Sequence, residues 1–141
     1  FLGEKIIEQG LYQTLPEIAS LLRDRNITAD IARQQFSWAM YDWSNADKKM
    51  VVSTEWGVLQ KPIDVNYRYY AKMADIKPWT LHFDATDIGI SSGKWIKPAG
   101  MGIADQQGNF LGIISIGFVV EQLNSMISGA LAERVKFLVL D

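Results

Sequence analysis

The feature that most constrains the fold is a change in residue pattern at Phe36. Before it, apolar residues recur at the spacing of a helix face, as in the stripe between Leu15 and Leu22. After it, short runs rich in aromatic and β-branched residues alternate with clusters of Asp, Asn, Ser and Gly, which is typical of strands joined by turns. Helices followed by strands predict an α+β fold with one antiparallel sheet.

The first segment, residues 1–35, is predicted to be helical throughout. Thr14 precedes Pro16 and Glu17 at the spacing of a capping box, so a helix is expected to begin there. The pattern therefore predicts long N-terminal helices that cover one face of the sheet.

The sheet is predicted to have about five strands, and the chain between 36 and 131 is predicted to form one domain. Asp64 can cap a short helix between the second and third strands, and the Asp105–Gly108 turn joins the last two. A C-terminal helix, Glu121–Leu131, is expected after the sheet. Residues 132–141 are interpreted as the start of a following strand or module. The predicted strands are 36–43, 50–54, 79–83, 95–104 and 110–118.

Composition excludes several classes of function. The net charge is −2 and there is no basic cluster, so the chain lacks the electrostatic signature of nucleic-acid binding. It has no cysteine and one histidine, His82, which argues against disulfides, thiolate catalysis and zinc. No nucleophile–base motif or phosphate loop is present. We therefore expect no enzyme activity, metal or cofactor in this domain. No apolar run reaches the length of a membrane span.

Three stretches of this sequence resemble motifs of one family of sensor domains. The stretch Asp64-Val-Asn-Tyr-Arg-Tyr-Tyr70 is similar to a D-x-S-D-R-x-Y-F element, and 92–98 (SGKWIKP) is similar to an S-G-K-W-x-I-P element. The stretch 105–114 (DQQGNFLGII) resembles the hairpin D-x-x-G-x-F-x-G-V-V. These elements, in this order over residues 36–128, resemble Cache domains, which are PAS-like.

The resemblance implies an extracytoplasmic sensor domain in a bacterial membrane receptor of the histidine kinase or diguanylate cyclase type. It implies a small-molecule ligand, a membrane connection through segments outside this chain, and possible pairing as a homodimer. In relatives that bind amino acids, a second aromatic residue and an aspartate on the last strand hold the ligand. Ala71 and Gly117 stand at those places. A carboxylate or another small polar metabolite is therefore the expected ligand.

Arg68 and Tyr70 are the leading ligand-binding candidates. The resemblance places Arg68 at the mouth of a pocket, where its guanidinium fork can bind a carboxylate through two hydrogen bonds. The alternative is a surface arginine paired with Asp64 or another acid. For Tyr70 the alternative is a packed core residue with a satisfied hydroxyl.

Four further residues complete the candidate site. Trp79 opens the third strand and Trp95 opens the fourth, where they could frame a ligand, although aromatic strand residues more often build core. Ser92 belongs to the glycine-containing loop before Trp95. For Trp38 the pocket and the core are equally plausible positions.

Two other functions remain open at this stage. One is a ligand-free PAS-like module that serves dimerisation or structure, with its pocket filled by aromatic side chains. The other is a cytosolic PAS domain that binds haem or flavin.

Overall fold

The computed structural model describes residues 2–28, 39–90 and 93–121, and all structural statements concern these. Two N-terminal helices are connected by a 3-10 turn at Leu11–Gln13. A short helix lies between the third and fourth strands. The helices are α1 (Leu2–Glu8), α2 (Leu15–Thr28) and α3 (Tyr69–Ala74). No helix in the described ranges is long and apolar enough to cross a membrane.

The strands form one antiparallel sheet in the order β3-β2-β1-β7-β6-β4, with β5 also paired to β6. The first and last strands in sequence are therefore neighbours at its centre. The strands are β1 (Ala39–Ser44), β2 (Lys49–Ser53), β3 (Gly57–Asp64), β4 (Leu81–Phe83), β5 (Asp87–Ile88), β6 (Trp95–Ala104) and β7 (Phe110–Val119).

The α+β class and the antiparallel sheet are confirmed, but the sheet has seven strands in the described chain where about five were predicted. The two additional strands are β3 and β5. β3 contains Pro62 and is mostly solvent-exposed, and β5 is two residues long within a polar loop. Peripheral strands of this kind are held by the backbone of a neighbour, so they carry little hydrophobic pattern of their own.

Helices pack against both faces of the sheet. On one face α1 and α2 cover a core that contains Ile6, Ile18, Leu22, Trp43 and Ile103, all fully buried. The opposite face packs a second core that includes Tyr70 of α3 and Ile113 of β7. The predicted cover by N-terminal helices is therefore present. The start of α2 directly after Thr14 is also as predicted, although the Thr14 hydroxyl donates to the Leu11 carbonyl (3.3 Å) rather than capping α2.

Two glycines in β6 let α3 approach the sheet closely. A Cβ at Gly100 would lie 2.7 Å from Cγ of Tyr70, and one at Gly102 would lie 2.6 Å from the carbonyl carbon of Ala74. Any side chain at either position would push α3 away. This contact fixes the position of Tyr70 against the sheet.

The β6–β7 hairpin follows the turn chemistry of its sequence. Asp105 Oδ1 accepts backbone N–H groups from Gln107 (3.0 Å) and Asn109 (2.8 Å), and Gly108 has a φ of +85°. Hydrogen bonds from the Asn109 side chain and backbone lower the pKa of the Asp105 carboxyl. The predicted tight turn is confirmed, and it sets the register that pairs Ala104 with Phe110.

Candidate functional site

A small cavity lies between α3 and the sheet, on the face opposite to α1 and α2. Its volume is about 20 Å³, which is room for about one water molecule. Strands β1, β2, β6 and β7 form its floor, and α3 and the loop after β5 close it. We refer to it as the Arg68 cavity. Its lining residues are Met40, Asp42, Met50, Arg68, Tyr70, Gly89, Ile90, Ile96, Pro98, Ser115, Ile116 and Gly117.

Arg68 immediately precedes α3 and is buried, with 5% of its surface exposed. Its Nη1 donates to Asp87 Oδ2 at 3.0 Å and its Nη2 donates to the Ile88 carbonyl at 3.2 Å. The guanidinium carbon also lies 5.0 Å from the centre of the Tyr67 ring. Arg68 therefore forms part of the cavity wall, and the nearby Asp87 carboxylate compensates its positive charge. Its acidic partner is Asp87, and the Asp64 carboxylate bonds instead to Asn66 in its own turn.

Tyr70 follows Arg68 by two residues and lines the same cavity, with 3% of its surface exposed. Burial raises the pKa of the Tyr70 hydroxyl, so it stays protonated at neutral pH and can donate a hydrogen bond. The buried carboxylate of Asp84 accepts the backbone N–H groups of Tyr69 (3.0 Å) and Tyr70 (2.7 Å). Asp84 thus anchors the start of α3 and orients Tyr70.

Asp42, in the central strand β1, contributes the second charged group of the cavity lining. Its Oδ1 atom is buried and has no hydrogen-bond partner in the described structure. Burial, with a smaller contribution from the negative charge of Glu55, raises the pKa of Asp42 from 3.8 to about 7. A buried carboxyl oxygen without a partner is costly, and this one belongs to a residue of the cavity wall.

A larger cavity of about 470 Å³ lies on the opposite face of the sheet, beside α1. It is mostly apolar, and Trp79 and Tyr41 contribute aromatic walls. Strand alternation accounts for part of the separation between the two cavities. Ile114 and Phe118 line only this one and Gly117 lines only the Arg68 cavity, whereas Ser115 and Ile116 line both.

Of the six predicted ligand-binding residues, Arg68 and Tyr70 are brought together at one cavity. Trp79 does not join them. It lies outside β4 with a φ of +64°, and its backbone N–H donates to the Gly102 carbonyl (2.9 Å). Its side chain lines the cavity on the opposite face of the sheet. The prediction that it opens a strand was wrong, because this left-handed backbone conformation interrupts the strand.

Trp95 does open β6, as predicted, but it is 59% exposed and does not line the Arg68 cavity. The reason is alternation, because Ile96 and Pro98 face that cavity and Trp95 must point away from it. Trp38 and Ser92 lie outside the described residues, as do residues 122–141, which carry most of the predicted C-terminal helix and the segment 132–141.

Sequence reasoning missed the contribution of Asp42 and the role of Asp84. The polar sequence around Asp84 is typical of a solvated loop and carries no local signal of its contact with α3. For Asp42 the signal was available, since a lone acid within an aromatic strand is unusual in a buried position. Across residues 2–28, 39–90 and 93–121, no group of three or more acidic or histidine side chains could hold a metal ion.

Comparison with solved structures identifies sensory domains of the same fold. The ligand-binding domain of the Campylobacter jejuni chemoreceptor Tlp3, in complex with 4-methylisoleucine, matches with a TM-score of 0.65 and 12% identity over 89% of this chain. The ligand-binding domain of the Pseudomonas fluorescens chemoreceptor CtaA, in complex with L-alanine, matches with a TM-score of 0.64 and 16% identity over 90%. The extracellular domain of vpHK1S-Z8, a protein assigned as a histidine kinase, matches with a TM-score of 0.64 and 14% identity over 92%.

These similarities define the class of fold. The chain has the PAS-like α+β fold of chemoreceptor and histidine kinase sensory domains, which was the fold expected from the Cache resemblance. It spans about half the length of these neighbours, between 50% and 52%. No family model matches the sequence, and no curated protein matches it.

Proposed function

We propose that this chain is the extracytoplasmic small-molecule-sensing domain of a bacterial transmembrane signalling receptor. The ligand is a small polar metabolite that binds at the Arg68 cavity. The domain itself catalyses no reaction, and the parent protein is a receptor of the histidine kinase or diguanylate cyclase type. Segments outside this chain connect it to the membrane. The fold shared with sensory domains supports the class, and the cavity supports the site.

One observation carries the proposal: a buried arginine lines a cavity together with a buried tyrosine and a partly buried acid whose Oδ1 atom is inaccessible to solvent. Asp42 Oδ1 has no hydrogen-bond partner in the described structure, so it is available to a polar group that enters the cavity. Arg68 also keeps donors beyond its two hydrogen bonds, since a guanidinium has five N–H groups. These donors can bind a hydrogen-bond acceptor on the ligand.

Signal generation follows from the size of the cavity. About 20 Å³ does not hold a whole metabolite, so a ligand must bind an arrangement in which the walls have moved apart. The ligand stabilises this open arrangement, and the difference in its affinity for the two arrangements limits the signal. Wall movement would pass to the parent protein through the sheet and its helices.

A second candidate function is a ligand-free structural or dimerisation module. The small volume of the Arg68 cavity favours it, because a packed cavity needs no guest. The two candidates differ in one measurable property. A sensor gains stability with some metabolite, and a structural module gains none.

The test is a thermal-shift screen of small metabolites against three proteins. A ligand present at 100 times its Kd adds about 2.7 kcal/mol of stability, which raises Tm by several degrees. The wild type and Lys72→Gln should respond equally, because Lys72 is an exposed cation on the same helix. Arg68→Gln should lose the response. If no metabolite raises Tm, the structural module is the correct interpretation.

A further inference from the structure

We propose that Asp42 determines ligand specificity, by accepting hydrogen bonds from a primary amine of the ligand that is seated in the Arg68 cavity. This inference rests on the proposed function, because it names the chemistry of the molecule sensed there. It assigns to the first strand of the sheet a recognition role that the sequence motifs did not indicate.

The charges around the cavity favour a cation. Asp42 and Arg68 are the only ionisable lining residues besides Tyr70 in the described chain. The positive charge of Arg68 is already balanced by Asp87 at 3.0 Å. Ionised Asp42 therefore leaves the site with one uncompensated negative charge. A positively charged ligand group restores neutrality, whereas an added carboxylate would leave two negative charges in a partly dehydrated space.

The size of the cavity favours the same group. A volume of about 20 Å³ matches one water-sized group. A primary ammonium is a single heavy atom with three donors, whereas a carboxylate has three heavy atoms and no donor. Acceptors surround the space, because the Asp42 carboxyl and the hydroxyl groups of Ser115 and Tyr70 all line it. The head of a primary amine therefore fits the existing space, and the walls must move apart to admit the remainder of the ligand.

Protonation of Asp42 makes this recognition depend on pH. The charged or titratable groups around it are Glu55 from the turn after β2, Tyr70 from α3, and Arg68, which precedes α3 and lines the same cavity. Tyr70 stays neutral and Arg68 is compensated by Asp87, so Asp42 is the group that titrates near neutrality, with a pKa of about 7. An alkylamine, like lysine with a pKa of about 10.4, stays protonated across this range. Amine binding should therefore tighten as pH rises and Asp42 ionises.

The experiment compares three probes of the same length, n-propylamine, propionate and 1-propanol, by calorimetry in amine-free phosphate buffer. The proteins are the wild type, Asp42→Asn and Asp47→Asn. Asp47 is the matched control, since it is an exposed acid in the same hairpin and its loss changes net charge equally. We expect propylamine to bind wild type and Asp47→Asn alike. Its affinity should fall about tenfold per pH unit below pH 7.

Asp42→Asn should bind propylamine at least tenfold more weakly and without the pH dependence. Tighter binding of propionate than propylamine, or equal propylamine binding by Asp42→Asn, would overturn the role of Asp42 while leaving a ligand site in place. Should all three probes fail, the hits of the metabolite screen decide. Hits without an amine overturn the Asp42 inference alone, and a screen without hits overturns the proposed function as well.

Discussion

The partly buried carboxyl of Asp42 makes the stability of this domain depend on pH in a direction opposite to that of most acids. Its pKa rises from 3.8 to about 7 on folding, chiefly because burial disfavours the charged form. Between these two values the folded state binds the proton more tightly than the unfolded state. The contribution of Asp42 to the free energy of unfolding is therefore fully present below pH 3.8 and is lost as pH rises toward 7.

The magnitude follows from the shift. About three pKa units at 1.36 kcal/mol each correspond to at most about 4 kcal/mol. Asp42→Asn replaces the carboxyl with a neutral group of the same shape, so it removes this loss. The free energy of unfolding of Asp42→Asn, minus that of the wild type, should grow by up to about 4 kcal/mol between pH 4 and pH 8.

The assay is urea unfolding of both proteins at several pH values, with Asp47→Asn as the control for loss of an exposed acid. Asp47→Asn should follow the wild-type curve, because its carboxyl is exposed. Parallel curves for wild type and Asp42→Asn would show that the Asp42 carboxyl is solvated after folding, and would refute the reasoning.

Three further substitutions, with a fourth as a control, test the packing of the fold around the site. Gly100→Ala places a methyl group against the Tyr70 ring and should cost about 1–3 kcal/mol in urea unfolding; an unchanged midpoint would contradict the close contact. Asp84→Ala removes the acceptor for the first two amides of α3 and should cost about 1–3 kcal/mol; those amides should exchange faster with deuterium, and unchanged protection would disprove the anchor. Trp43→Ala empties the core and should cost about 3–5 kcal/mol, whereas the half-exposed Trp56→Ala should cost less than about 1 kcal/mol; equal losses would argue against the core assignment.

Local chemistry explains what could be read from the sequence. The turn at Asp105–Gly108 needs only an acid that caps its own turn and a glycine with positive φ, so both flanking strands were predicted within a residue. The helix at Tyr69–Ala74 was expected to begin at Asp64. It begins later, because the acid that accepts its first amides is Asp84, fourteen or fifteen residues away along the chain.

The order of the strands in the sheet determined which residues line the site, and this order cannot be read from any local sequence pattern. Pairing of β1 with β7 brings Asp42 opposite Ser115, and α3 then places Arg68 above them. The alternation of side chains along β6 points Trp95 away from the Arg68 cavity. Trp79 itself has a left-handed backbone conformation and lines the cavity on the opposite face. The sequence by itself determined the N-terminal helices, the main strands and the turns, because these depend on neighbours in the chain, and its motifs singled out Arg68 and Tyr70 as candidates. Only the tertiary structure decided which side chains share a cavity, because burial and charge compensation arise from residues that are distant in sequence.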